Sequence, residues 1–323
     1  MRRAGAAIPG VLIPLLLAAA GCRPCPETVV SLHELVAEYN ANADAVPRLW
    51  ARADMSVTID VKDALPFTWR SGGPTCLLLL AKGKDRLGAH DFALLGRETA
   101  AVVLFRIGSS AEQGLYYFWF QFGDRAGAWY GLHDAALPRG GRLPIDPMQL
   151  LSVLGVCPLP DEPGRLPAVA LGMQNTPGDC AYVVAVVDRP RGARHMHFRR
   201  EVYFRWSDTE PRRPYQVNLF DAAGRRVMTA RLKRYRPIDV SELDDPPDVE
   251  PVMPTDIEIV ANRFGSLPTS VRRIHLVLSE MTAADKWDRS VCRFDPPDGI
   301  VPVRVDRAVG GARAGKPKGG PSK

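Results

Sequence analysis

Beyond its first twenty residues this chain has no apolar run approaching the roughly 20 residues that a membrane-spanning helix requires. It also lacks a GxSxG elbow, a P-loop, an HExxH pair and a GxGxxG turn following a strand. The common hydrolase, nucleotide, zinc-protease and dinucleotide chemistries therefore have no motif to stand on, and the chain reads as a non-enzyme without a cofactor. Histidine is scarce, at six residues. His195 and His197 fall on one side of a strand with Glu201, but Arg191, Arg194, Arg199 and Arg200 surround them and oppose a cation. The stretch reads as a polar strand entrance. Asp244, Asp245, Asp248 and Glu250 are broken up by Pro246, Pro247 and Pro251 and lack the regular alternation of a calcium loop. No metal site is assigned. Excess charge is missing too: the formal +6 belongs to the two ends, and Cys22 to Val303 sum to −1. A nucleic-acid-binding surface has no basis in that balance.

What is present begins at the N-terminus. Arg2 and Arg3 precede an apolar stretch from Ile8 to Ala20, which is interrupted by Pro9, Gly10 and Pro14 and runs through small residues into Gly21-Cys22. This is the pattern of a secretory signal. Its ending resembles the lipobox of bacterial lipoproteins, with Ala19 where that motif usually carries leucine. The resemblance implies a signal over 1–21, a lipid on the sulfur of Cys22 and a linker over 22–30. The protein is then expected to be lipid-anchored in the cell envelope, at the outer membrane and facing the periplasm. Of the five remaining cysteines, Cys157 and Cys180 bracket a Pro/Gly-rich insertion and are the expected disulfide. Cys22 and Cys25 have CxxC spacing but lack the strand-to-helix setting that activates a redox pair. The far end, 304–323, reads as a disordered basic tail.

The folded part is expected over 31–303. Ser31-Leu32-His33-Glu34 is a capping box, and Leu32, Leu35, Val36 and Tyr39 form one apolar helical face that fades through Asn40 to Asp44. From Trp50 to Asp60 the sequence alternates, with Ala53, Met55, Val57 and Ile59 on one side. Further strands are expected over 75–82, 86–95, 101–107, 116–122 and 128–132, joined by short turns and hence antiparallel. Asp146 and Pro147 open a second helix carrying Met148 and Leu151, which Gly155 ends. Residues 156–180 read as loop. Strands resume over 181–188, 198–206, 214–221 and 225–235, then 256–264 and 271–280, with an acidic, proline-rich linker over 237–254.

This order of a capped helix, a long alternating strand, two meanders about a Leu143-Pro144-Ile145-Asp146-Pro147 helix and a closing Phe294-Asp295-Pro296-Pro297-Asp298-Gly299 resembles the LolA/LolB-like superfamily of periplasmic lipoprotein carriers and outer-membrane lipoprotein receptors. The resemblance implies a mainly β fold with α (α+β): an incomplete antiparallel β-barrel, strongly curved, enclosing or covered by a few helices. It implies an apolar cavity between sheet and helices that accepts acyl chains of lipid or lipoprotein. The residues expected to line it are Leu35, Tyr39, Met55, Val57, Leu78, Phe118, Phe120, Met148, Leu151, Tyr203 and Trp206, with 156–180 as its gate. The alternative is an envelope sensor or adaptor that binds a protein partner through the same fold without transport.

Overall fold

The computed structural model describes residues 30–61, 65–83, 90–99, 102–123, 125–133, 147–162, 164–176, 179–189, 196–206, 212–221, 223–262 and 269–306. The segment expected to be a signal and anchor, with Cys22 and Cys25, lies outside the described residues, as do Asp146, His195 and the residues beyond Asp306.

Helix α1 (Leu32–Asp44) starts where the capping box places it, with the Glu34 N–H donating to Ser31 Oγ at 3.1 Å. It is followed by β1 (Arg48–Val61), β2 (Phe67–Arg70), β3 (Cys76–Ala81), β4 (Asp91–Arg97), β5 (Val103–Ser110), β6 (Leu115–Phe122) and β7 (Arg125–Leu132). Helix α2 (Pro147–Val153) separates these from β8 (Ala168–Thr176), β9 (Asp179–Asp188), β10 (His197–Arg205), β11 (Pro214–Phe220), β12 (Arg226–Pro237), β13 (Val252–Ala261), β14 (Thr269–Thr282) and a two-residue β15 (Val303–Arg304). Three elements differ from expectation. β8 occupies residues read as loop, and β2 and β15 have no counterpart among the expected strands.

All strands belong to one sheet in the order β15-β7-β6-β5-β4-β3-β1-β14-β13-β12-β11-β10-β9-β8, with β2 alongside the far half of β1. Every pairing is antiparallel except β15 on β7. Among the described residues the two ends of the sheet do not pair, so the barrel is incomplete. β1 and β14 are the spine: each has 14 residues, and their pairing joins the first meander to the second.

The strict alternation of β1 buries Ala51, Ala53, Met55, Val57 and Ile59 toward the helices and turns Asp54, Ser56, Thr58 and Asp60 outward. Val184, Val202, Phe204, Val217, Ala230, Ile257, Ile274 and Leu276 continue the same inner face across the second meander. The first meander is buried on both faces. Its outer side is covered by the chain after β14, where Trp287 and Cys292 pack on Leu79, Ala81, Ala93 and Leu95, and Phe294 and Ile300 on Tyr117, Trp119 and Ala128. Two-faced burial explains why Cys76–Ala81 and Leu115–Phe122 are nearly continuous apolar runs. The covering strap is tied down by polar contacts: the Trp287 indole donates to Leu49 O at 3.2 Å and the Tyr117 hydroxyl to Cys292 O at 2.9 Å. The Arg48 guanidinium lies 4.6 Å over the Trp287 ring.

The strap ends by adding β15 to the β7 edge, which hides backbone groups that an edge strand would otherwise present. Folded structure thus runs past the boundary expected at residue 303. Asp306 accepts from Arg304 at 2.6 Å and from the Leu132 N–H at 3.1 Å, and the Arg304 hydrogen bond is the main reason its carboxyl lies below the ordinary value of 3.8. A depressed native pKa contributes stability above the unfolded value and loses it as pH falls through the native one. Asp306→Asn is therefore expected to be less stable than the parent at pH 7, with the gap narrowing below pH ~4. Urea unfolding at both pH values checks this, and a gap independent of pH would contradict it.

Candidate functional site

Helices α1 and α2 lie on the inner face of the sheet, where their apolar stripes join both meanders in one core. α1 contributes Leu35, Val36, Tyr39 and Ala43, and α2 contributes Leu150, Leu151 and Val153. The Tyr39 ring meets Phe204 edge-on, with centroids 5.8 Å apart. Phe118 stacks on Trp129 at 5.7 Å, and Phe120 lies 5.8 Å from the same indole.

Of the side chains expected to line a cavity, Leu35, Tyr39, Met55, Val57, Leu78, Phe118, Phe120 and Leu151 are brought together in this core, each buried. Met148 and Trp206 pack against it while partly exposed. Tyr203 is not among them. Strand alternation gives the inward positions of β10 to Val202 and Phe204, and Tyr203 faces outward, donating to Glu201 Oε2 at 2.8 Å. Its phenol is raised to about 12, by burial first and then by Glu201.

The expected Cys157–Cys180 disulfide is not formed. Cys157 is a free thiol whose sulfur donates to Leu151 O at 3.7 Å, whereas Cys180 is disulfide-bonded. Cys157 is held among α1, α2 and β10, so its sulfur serves the core, and burial raises its pKa.

The segment from Ser152 to Leu159 is instead fastened by polar groups. The Tyr39 hydroxyl donates to Cys157 O at 3.0 Å. Asn40 pairs with the backbone of Leu159 in both directions, Nδ2 donating to its carbonyl at 2.9 Å and Oδ1 accepting from its N–H at 2.7 Å. Arg200, 8% exposed and on the inward side of β10, donates to Ser152 O at 3.3 Å and Pro158 O at 3.2 Å. Burial pushes the Tyr39 phenol up to about 12, with Arg200 partly opposing the shift. It is therefore a neutral hydrogen-bond donor at physiological pH. These five hydrogen bonds form a latch that holds α2 and the chain after it against α1 and the sheet. Asn42 repeats the two-way pattern with the backbone of Val252, at 3.1 and 2.8 Å, and so ties α1 to the start of β13.

Of the latch residues, the sequence singles out Tyr39 alone, as a cavity-lining side chain, and neither Asn40 nor Arg200. Asn40 and Asn42 read as a fading helix end, because asparagine favours termini over helix interiors. The helix continues to Asp44 because their amides bond other segments instead of competing with their own backbone. Arg200 read as part of an exposed basic strand entrance. The available signal was parity: Arg200, Val202 and Phe204 share one side of β10.

Among the described residues, no three His, Cys, Asp or Glu side chains stand close enough together to hold a metal ion. His197 pairs in register with Asp188, and Glu201 accepts from Tyr203 and Asn218. No helix among the described residues is long and apolar enough to cross a membrane.

No protein-family model matches the chain, and no curated protein matches it. Several solved structures are similar in fold. A Vibrio parahaemolyticus domain, named for outer membrane lipoprotein sorting, is 12% identical over 80% of this chain and 95% of its own, with a TM-score of 0.45. A DUF1329 family protein from Desulfovibrio piger is 12% identical, covering 81% of this chain and 95% of its own, at 0.40. A LolA superfamily protein from Nitrosomonas europaea is 13% identical, covering 81% and 97%, also at 0.40.

Proposed function

We propose that this chain is a lipid-anchored envelope protein, attached through Cys22 and facing the periplasm, which takes acyl chains of a lipid or lipoprotein between its sheet and its helices. The observation that carries the reading is the latch. A plug of apolar side chains on the inner face is secured to the sheet by a handful of hydrogen bonds, and Leu151 and Val153 travel with it. Each methylene moved from water into such an interior yields about 0.8 kcal/mol. A neutral hydrogen bond contributes about 1 kcal/mol net and one from a cation about 1.5–3 kcal/mol, so the five bonds of the latch are of the same order as the burial of a dozen methylenes. Leu150, Leu151 and Val153 are buried there, and the mechanism is exchange: acyl carbons replace the side chains that α2 withdraws. The moving part is Ser152 to Leu159 with α2, a narrower gate than the 156–180 segment expected from sequence.

The test is native mass spectrometry of the exported full chain carrying Cys22→Ser, followed by lipid extraction. Phospholipid or acylated peptide at about one per protein supports the proposal. A bare protein mass, unchanged on adding dioleoyl phosphatidylglycerol, overturns it and leaves the adaptor alternative to be pursued through protein partners.

A further inference from the structure

Cys180 is disulfide-bonded. The chain has six cysteines, and Cys76, Cys157 and Cys292 carry free thiols. For its partner sulfur, Cys22 and Cys25 remain, both outside the described residues. We propose that it is Cys25, so that the sequence beside the lipid anchor is stapled to the edge region of the sheet at β9. The choice of Cys25 over Cys22 rests on the anchor reading above, because a thioether to diacylglycerol removes the Cys22 sulfur from disulfide chemistry.

The placement of Val30 supports this pairing independently. Its backbone N–H donates to the Tyr182 hydroxyl at 3.1 Å, across 152 residues of sequence. Tyr182 stacks on Trp206 with centroids 4.6 Å apart, and the Trp206 N–H donates to Cys180 O at 3.2 Å. Val30, two residues ahead of α1, is thus docked beside the strand that carries Cys180. Cys180 and Tyr182 lie two residues apart on β9 and point to the same side, about 7 Å from each other along the strand. Five residues from Val30 back to Cys25 span at most about 18 Å, which reaches Cys180 easily. In forming the bond, both thiols lose their protons and two electrons pass to the disulfide of an envelope thiol oxidase, which becomes a dithiol. The compartment supplies this chemistry routinely.

The staple sets the geometry of the anchor. Without it, the first fixed point after the lipid is Val30, eight residues on, with a reach of about 28 Å. With it, the fixed point is Cys25, and the reach falls to about 11 Å. The rim formed by Cys180, Trp206 and the N-terminus of α1 is then the membrane-proximal rim. Asp188, eight residues along β9 from Cys180, is at the opposite end of that strand from it.

The experiment uses the full chain purified from membranes, blocked with N-ethylmaleimide and digested without reduction. The expected result is a peptide containing Cys25 linked to one containing Cys180. Because Cys22 and Cys25 share that peptide, variants assign the sulfur. In Cys25→Ser the Cys180 thiol should become alkylated, and in Cys22→Ser it should stay protected. An alkylated Cys180 in the unaltered chain, or a protected one in Cys25→Ser, overturns the proposal. The mass of diacylglyceryl on Cys22 is read from the same digest. A lipidated Cys22 beside free Cys25 and Cys180 sinks the staple alone, and an unlipidated Cys22 beside a linked Cys25 sinks the anchor alone.

Discussion

Val57→Asp is expected to cost at least about 4 kcal/mol and to leave little folded protein at 37 °C. Val57 is 2% exposed on the inner side of β1, opposite Ile274 of β14 and beside Trp69 of β2. A carboxylate there has no described basic partner on its face and must stay charged without solvent or be protonated at a cost. Ser56→Asp, one residue earlier, places the same group on the outer side, where it is expected to shift stability by no more than about 0.5 kcal/mol. Thermal unfolding of the two variants side by side is the measurement. Equal losses would mean that the alternation of β1 does not separate core from surface.

Arg200→Leu has the second-largest expected effect, on opening as well as on stability. It removes two hydrogen bonds from a cation to carbonyls, each worth about 1.5–3 kcal/mol. The new side chain recovers part of the packing, so a net loss of about 2–3 kcal/mol is expected. The more telling readout is the thiol of Cys157, beneath the latch. In the parent it is only partly exposed and desolvation raises its pKa, so it is slow to react. In Arg200→Leu its alkylation should rise at least about tenfold, matching a loss of 1.4 kcal/mol or more in the closed state. Cys76 and Cys292, buried elsewhere, are the internal controls. Faster reaction at Cys157 alone means local opening. Faster reaction at all three means global unfolding and would contradict a separable gate.

Much of the architecture was legible because periodicity is physical. The β1 alternation, the Ser31 cap and the short turns each have one local cause, and all survive in the structure. β8 was missed because it is an edge strand of mixed polarity ending in Gln174-Asn175-Thr176, without the apolar alternation of a half-buried strand. The inner-face residues were largely found, since large apolar side chains at inward parity have few other places to go. The latch was not, because a buried Asn or Arg is recognisable only once its distant backbone partner is known: Asn40 and Leu159 are 119 residues apart. The disulfide was misassigned for the same reason. Bracketing a Pro/Gly-rich insertion says nothing about which segment a cysteine will face.

The spine of the sheet also fixes the order in which this protein can become complete. β1 is among the first elements to emerge from synthesis or export, yet its partner β14 and the strap that covers β3 to β7 come last, about 200 residues later. Such a high contact order implies slow closure. Until then, one edge of β1 and the outer apolar face of the first meander stand open together. The vulnerable species is therefore a sheet that β14 and the strap have not yet joined, and losing the strap would expose more of the sheet than losing a strand from its β8 edge.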